Sequence, residues 1–571
     1  MLAVPTTVAQ DNRPSFIVFQ PDDLQFFEEW KPAAHFSGRN QAIPLPETGL
    51  PNIERLMKQG LHMKQAYTAS PKCGTSRYSS MTGRYPSRSS YGRDSQFSQD
   101  VASVGIPTTK LEDLDTVIDG NDCSEQNLAQ VFKENNYRTG MVGKWHLHRG
   151  SGTYSYEDSQ ERIRNCGFDY AESVYIENQG GDWHDGTFNH NMEYMTAMAI
   201  DFINNSTDPF FLYFNPTAPH GSGNVHEALL NFSCTDTPAG PIEDEPYIVG
   251  MTHNQTCSDY RASVIARADD TSNLDLGSIW VDDAIGAVLT ALGDKLNNTF
   301  FLFQMDHGQE GKNSLLEPGT RIAQFIHFPN EFNVTTGAEF DGIVSTVDIG
   351  PTMLDYAGID TNDVYKMDGK SWREAVENPD TVGAEWRSDR CLFYEIGKDR
   401  AVRCGCHKYM HFFDPENSET KKEAQKNNLI PSDSDTPGPA ANYLFNICDE
   451  SGISVASPSD NPEYYEGDLK SHDSLLLNEM QMMIECHLSK TEPDQDPHYY
   501  ECDEMFSNRP TGTPTGAPSA APTICENSNE LFEDGRGILR NCTDPWIVER
   551  DSRCKQFGSI CPLACGWCGT Q

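Results

Sequence analysis

The sequence predicts an α/β protein: a large sheet between helices, followed by a linker and a small cysteine-rich tail. Three observations carry this. Apolar runs at 15–20, 209–214 and 299–304 lack polar alternation, as strands buried on both faces do. The second follows a helical pattern at 190–204 (Met195, Met198, Ile200, Phe202) and the third one at 278–292 (Ile279, Val281, Ala284, Val288, Leu289, Leu292). Each run stops at a turn with ionisable side chains, Asp22-Asp23, His220 and Asp306-His307, and open α/β sheets hold ligands at such strand ends. With 571 residues, two or three domains are expected.

Asp22-Asp23 offers two hard oxygen donors suited to Ca²⁺ or Mg²⁺, or else an acidic turn. A helical pattern at 50–68 (Leu50, Ile53, Leu56, Met57, Leu61) leads through Ala66-Tyr67 to Pro71-Lys72-Cys73. The chain then turns into a helix near Ser76–Met81 that stops at Gly83. Cys73 thus stands at a helix N-terminus, a place suited to anions, with Arg77 one turn on and able to point back. The alternative is a buried or disulfide-bonded Cys. Residues 127–137 read as helix, and 138–147 as strand, Gly turn, then Lys144 and His146. Alternation in an extended segment puts those two on one side; a solvated Lys and a packed His are the plainer reading. His220 follows a strand and a Pro turn, where a capping or surface His is also possible. Residues 222–260, with Cys234 and Cys257, form a predicted surface lobe at the substrate entrance. A helix begins within 345–354, with Asp348 and Pro351 near its start. Residues 472–486 form an amphipathic packing helix (Leu475, Leu476, Met480, Met483, Ile484).

Taken together, these pieces resemble one family. Cys73, Ser76, Arg77, Thr82, Gly83 and Arg84 resemble the signature C-x-(P/A/S/T)-S-R-x-x-x-(L/M)-T-G-R of the formylglycine-dependent sulfatases, with Thr75 where Pro is usual. Gly143-Lys144-Trp145-His146-Leu147 resembles the family's G-K-W-H-L. The strand-end Asp22-Asp23, Pro219-His220 and Asp306-His307 match in order. Residues 311–322 resemble G-K-x-T-x-Y-E-G-G-x-R-V, with Leu316 for the aromatic and Glu317-Pro318 for Glu-Gly. The resemblance spans about 15–450.

It implies an alkaline-phosphatase-like fold with a smaller C-terminal antiparallel sheet, whose strands include 400–403 and 408–410, before a turn at 446–449. The implied domains are a catalytic domain at 13–380, a C-terminal subdomain at 381–506, a linker at 507–523 and a six-Cys domain at 524–571. The implied reaction is sulfate ester hydrolysis, on a sulfated carbohydrate or another sulfate ester. Cys73 becomes formylglycine through a formylglycine-generating enzyme. Asp22, Asp23, Asp306 and His307, with residue 73, hold one divalent cation, Ca²⁺. Lys144, Lys312 and His220 take the sulfate, His146 bonds a hydroxyl of the hydrated aldehyde, and Arg77 supports residue 73. Two other readings stay open: a phosphodiesterase or phosphonate monoester hydrolase of the same superfamily, and an inactive secreted binding or wall protein. Arg93, Trp183 and His184, in loops where the match fades, are candidates for substrate contacts.

Composition narrows the setting. Against 43 Lys and Arg stand 85 Asp and Glu, a net charge of −42, which excludes nucleic acid and disfavours anionic membranes. No apolar run approaches the roughly 18 residues of a membrane span. Met1–Gln10 lacks the basic and apolar regions of a signal peptide, yet 17 Cys and the sequons at Asn204, Asn205, Asn231, Asn254, Asn297, Asn333 and Asn541 point to a secreted or lumenal protein. Residues 507–523, with Pro510, Pro514, Pro518 and Pro522, form a semi-extended linker. The six Cys from Cys525 to Cys568 are expected to pair as disulfides, and C-x6-C-x3-C-x2-C resembles the ShK-type toxin domain, a candidate for binding cell wall or another protein. A Zn site competes, but the segment holds no His. Setting Cys73 aside leaves ten Cys outside the tail, able to form five bridges.

Overall fold

The computed structural model describes residues 13–24, 49–89, 126–147, 155–175, 190–379 (except 208, 221–224 and 310), 382–383, 385–388, 390–413, 418–426, 442–448 and 474–489. It also describes Cys123, Cys502 and the short strands 35–37, 41–43, 532–533 and 539–540. The chain divides into two units, Met1–Arg509 and Pro510–Gln571. In the second, the described strands Phe532–Glu533 and Leu539–Arg540 pair antiparallel.

The first unit is built on a nine-stranded mixed sheet. In chain order its strands are β1 (Ser15–Phe19), β2 (Leu61–Tyr67), β3 (Arg138–Lys144), β4 (Tyr170–Tyr175), β5 (Phe210–Asn215), β6 (Thr299–Gln304), β7 (Arg321–Ile322), β8 (Gln324–His327) and β9 (Ala338–Ser345). Across the sheet they run β7-β2-β8-β6-β1-β5-β3-β4, with β9 parallel beside β2. β1 lies between β6 and β5, parallel to both, with Ile17 opposite Phe301 and Leu212. Every residue of β1, β5 and β6 is buried, which is why those strands read as continuous apolar runs. Helices α1 (Pro51–Gln59), α2 (Cys73–Thr82), α3 (Met192–Asn205) and α4 (Asn273–Leu292) pack on the sheet. Residues Asn273–Asn298 are long and apolar enough to cross a membrane by length and composition, but 72% of their apolar 18-residue stretch is buried inside the protein.

A second, four-stranded antiparallel meander follows: β10 (Cys391–Ile396), β11 (Asp399–Cys404), β12 (His407–Phe412) and β13 (Asn442–Asn446). Leu392, Tyr394 and Met410 from this sheet share a core with Tyr67 and Ile343 of the larger one and with Leu315 of the loop that follows β6. Its other face receives α5 (Ser474–Ser489) through Leu476, Met480, Met483 and Ile484. Leu475, expected in that apolar stripe, is 66% exposed and faces away.

The helical pattern expected to reach Leu61 stops at Gln59. Gly60 is extended there and passes so close to β8 that a Cβ would meet the Ile326 carbonyl oxygen at 2.2 Å. Residues 61–67 then become a strand, with Lys64 half-buried between inward neighbours. Five disulfides join Cys123–Cys166, Cys234–Cys257, Cys391–Cys404, Cys406–Cys448 and Cys486–Cys502. Among the described residues Cys73 is the free thiol, as the cysteine count required.

Candidate active site

The ends of β1, β3, β5 and β6 deliver the predicted residues to one place. After β1 the chain turns at Asp22 and at Asp23, whose φ of 60° is left-handed, and the Asp23 N–H donates to Asp306 Oδ1 (3.2 Å). After β6, Ser76 Oγ donates to the Asp306 carbonyl (2.5 Å), tying the start of α2 to that turn. Helix α2 begins at Cys73 and ends on Gly83 in a left-handed cap at φ 65°. The Asp22 backbone pairs with Pro219, so the turn bearing His220 docks beside the first acid.

Alternation along an extended strand is not what brings Lys144 and His146 together. β3 ends at Lys144, and His146 has a φ of 53°, so the backbone swings out of the strand. Gly143, at φ 95°, permits the swing: a Cβ there would meet the Asn215 carbonyl oxygen at 2.1 Å.

Charge then dictates the geometry. Lys144 Nζ donates to Asp22 Oδ2 (2.6 Å), and Arg77 Nη2 reaches Asp22 Oδ1 (3.2 Å) and Asp306 Oδ2 (3.4 Å). Lys312 Nζ lies 2.8 Å from both Asp23 oxygens and 3.1 Å from His220 Nε2. His307 Nε2 stands 3.1 Å from Asp23 Oδ1 and 3.3 Å from Cys73 Sγ. One ligand atom from each of Asp23, Cys73, Asp306 and His307 falls within a 4.8 Å group; Asp22 groups instead with Cys73 and His220. All predicted site residues are therefore assembled, while Arg93, Trp183 and His184 lie outside the described residues.

The titrations follow from this crowding. Burial and Asp22 push the Cys73 thiol up, but Lys144, His307 and a hydrogen bond from His146 carry it well below its ordinary value. Burial raises Asp22 also, yet Lys144, His220 and Arg77 hold it well below the carboxylate range. Asp306 goes the other way: burial, Asp22 and Cys73 push it far up against His307 and Arg77. His307 is raised despite burial, by Asp306, Cys73 and Asp23.

His190, which nothing in the sequence marked, supports the site from behind. It is buried, its Nδ1 lies 2.8 Å from Thr217 Oγ1, and it hydrogen-bonds the His220 backbone. Burial, then His220, pulls it down to about 4, so it is a neutral strut for the His220 turn. Thr75, in the place of the family's usual Pro, directs its hydroxyl to Ser70 Oγ (2.7 Å) and the Lys72 carbonyl (3.0 Å).

A family model described as Sulfatase matches residues 36–359, more than half of the chain. The chain belongs to the sulfatase family. A second model, the N-sulphoglucosamine sulphohydrolase C-terminal region, matches 305–426. Among curated sulfatases, the chain is 26% identical over 470 residues to the uncharacterized sulfatase YdeN of Escherichia coli, covering 72% of each chain. It is also 26% identical to the arylsulfatase of Hemicentrotus pulcherrimus, covering 63% of each. The crystal structure of Ps i-CgsB in complex with k-i-k-neocarrahexaose shares the fold at a TM-score of 0.53 and 20% identity, over 86% of this chain and 98% of that one. Sulfatases are sulfuric ester hydrolases, and this chain is an enzyme of that class.

Proposed function

We propose that this sulfatase cleaves a sulfate ester of a carbohydrate, using a formylglycine made from Cys73 and one divalent cation, Ca²⁺. The observation that carries the reading is the buried Cys73 thiol, free among the described residues, 3.3 Å from His307 and inside a group of cation-ligand atoms. The donor set fits a divalent cation: two carboxylates, an imidazole and residue 73 converge there, and Asp306 is pushed up by burial and then by Asp22 and Cys73, a crowding a cation would relieve. Asp23, Asp306 and His307, with residue 73 and with Asp22 beside them, would hold it, and it would supply Lewis-acid charge at sulfate oxygens. A hydrated formylglycine supplies a geminal diol, one hydroxyl as nucleophile and one whose deprotonation returns the aldehyde.

The chain's own residues do the rest. Lys144 and Lys312 bring positive charge to the sulfate oxygens in a buried, preorganised pocket. His220 or Lys312 donates the proton to the leaving alcohol, His146 accepts one from the diol at residue 73, and Arg77 holds Asp22 and Asp306 in place. Ester and water become alcohol and sulfate.

A carbohydrate substrate is supported by the oligosaccharide complex of Ps i-CgsB. Export is supported by the disulfides and by exposed sequon asparagines at 204, 205, 231, 254, 297 and 333. Maturation then needs a formylglycine-generating enzyme, and the tail beyond the linker is a candidate anchor to wall or protein. The test is intact-mass analysis of the Cys73 peptide from natively produced protein, with turnover of an aryl sulfate, an aryl phosphodiester and defined sulfated sugars against Cys73→Ala. Formylglycine at 73 and preferred sulfate turnover are expected. An unmodified thiol without turnover, or preference for the phosphodiester, overturns the reading.

A further inference from the structure

Behind the site lies a second buried ionic cluster, and it joins the two sheets. Glu317 is fully buried and opens the short helix Glu317–Thr320. Its Oε2 accepts from the Tyr67 hydroxyl (2.8 Å) and its Oε1 from Lys408 Nζ (2.8 Å). Lys408, on β12, also donates to Thr320 Oγ1 (3.1 Å). Arg403, on β11, donates to the Tyr67 hydroxyl and to Gln65 Oε1 (2.6 Å), and its guanidinium lies 4.8 Å from the centre of the Tyr67 ring.

Tyr67 and Glu317 are each attached to a different catalytic loop. Tyr67 ends β2, the five residues Thr68–Lys72 separate it from Cys73, and the Thr68 N–H donates to the Thr320 carbonyl (2.8 Å). On the other side, the helix of Glu317 closes the loop that carries Asp306, His307 and Lys312. The Gly308 N–H donates to the Gly319 carbonyl (3.1 Å), and a Cβ on Gly319 would meet the Gly311 carbonyl oxygen at 2.2 Å. A third link, from the Asn313 N–H to the Pro71 carbonyl (2.9 Å), spans the two loops directly.

We propose that Glu317, ion-paired to Lys408 of the small sheet and hydrogen-bonded to a Tyr67 that Arg403 of the same sheet holds, is a positioning residue that sets the register between the loop carrying residue 73 and the loop carrying Asp306, His307 and Lys312. This deepens the proposed function and rests on it. It gives the small sheet a task in catalysis: it supplies one cation that holds the Glu317 carboxylate and a second that holds the Tyr67 hydroxyl bonded to it. Burial pushes Glu317 up, but Lys408, Arg403 and the Tyr67 hydrogen bond hold it below its ordinary value, so the carboxylate stays ionised, while burial lowers Lys408.

Removing one charge strands the other, so the test pairs them: Glu317→Met/Lys408→Met replaces the ion pair by apolar side chains of similar length, a change that buried pairs often tolerate. Full-length wild type, this double variant and Glu317→Gln are compared by hydrogen exchange and by aryl sulfate turnover. The double variant is expected to stay folded while amides in 68–76 and 306–316 exchange faster together. Its kcat should fall about 10-fold to 100-fold with KM little changed, because a displacement of about 1 Å at a reacting group costs that much. Glu317→Gln, which keeps an acceptor for Tyr67, should recover part of the loss. The inference is overturned if only one loop, or neither, loosens, or if kcat per folded molecule is unchanged. Should the double variant fail to fold, the same readouts on Glu317→Asp, which keeps the charge but shortens its reach to Tyr67 and Lys408, decide. Should wild type turn over no sulfate ester, the functional reading falls, while the exchange of the two loops still decides this one.

Discussion

Two fully buried carboxylates in this molecule live in opposite circumstances: Asp306 at the end of β6, and Glu395 on β10. Glu395 accepts from the Ser87 N–H (2.8 Å) and from His487 Nε2 (2.6 Å), with Arg400 Nε at 3.8 Å. Burial pushes it up, but Arg400 and His487 pull it down to about 2. Burial pulls His487 below its own ordinary value, so this imidazole acts as a neutral donor and Arg400 carries the charge. Asp306 accepts two N–H groups, from Asp23 and His307, yet burial, Asp22 and Cys73 still push it far up. The first carboxylate is completed by the chain. The second is crowded by other negative groups, and it belongs to a place where charge is kept ready for something else.

The sharpest test of that difference is to neutralise each acid. Asp306→Asn should cut kcat/KM on an aryl sulfate about 1,000-fold, as loss of a preorganised electrostatic group does, while its melting temperature holds or rises without added cation. Wild type should gain about 2.7 kcal/mol in Ca²⁺ at about 100 times its Kd, a gain that EGTA removes and Asp306→Asn lacks. Calorimetry with and without Ca²⁺ reads both; equal destabilisation by chelator in the variant would break the comparison.

Glu395→Gln should do the reverse. It strands the Arg400 guanidinium and should cost about 3 kcal/mol of stability, measured by denaturant unfolding, with kcat per folded molecule unchanged. The pH dependence has the same origin. The folded value, about 2, lies below the ordinary 4.5, so the contribution of Glu395 is complete above 4.5 and is lost as pH falls towards 2. That loss should amount to about 3 kcal/mol over the window, and the acid limb should be shallower by that amount in Glu395→Gln.

The same contrast explains what could be read in advance. β1, β5 and β6 were legible because strands covered on both faces need no polar alternation, and each hands a short ionisable motif to the same end of the sheet. β2 was not, because Leu-His-Met-Lys-Gln follows a helix in phase and only the close approach of Gly60 to Ile326 ends that helix. Strand alternation points His146 to the correct neighbourhood for a wrong reason: its own left-handed backbone brings it to Cys73. His190 carries no local signal, and Glu317 stands in a recognisable motif that gives it no role. Their partners, Thr217, Tyr67 and Lys408, are 27, 250 and 91 residues away in the chain, and such pairings exist only once the sheets have formed.

The smallest effect concerns Thr75, where the chain departs from the family's usual residue. Its hydroxyl reaches Ser70 Oγ and the Lys72 carbonyl, so the loop before α2 is closed by a local hydrogen bond where a Pro would have closed it by stiffness. Thr75→Ala loses that bond and should cost about 1 kcal/mol. Thr75→Pro loses it too, but restricts the unfolded chain by a comparable amount, so it should fall within about 0.5 kcal/mol of wild type. Chemical denaturation of the three proteins separates the cases. If Thr75→Pro is as unstable as Thr75→Ala, the loop needs its hydroxyl for geometry, and Thr75 belongs with the completed contacts around Glu395 rather than with the crowded groups around Asp306.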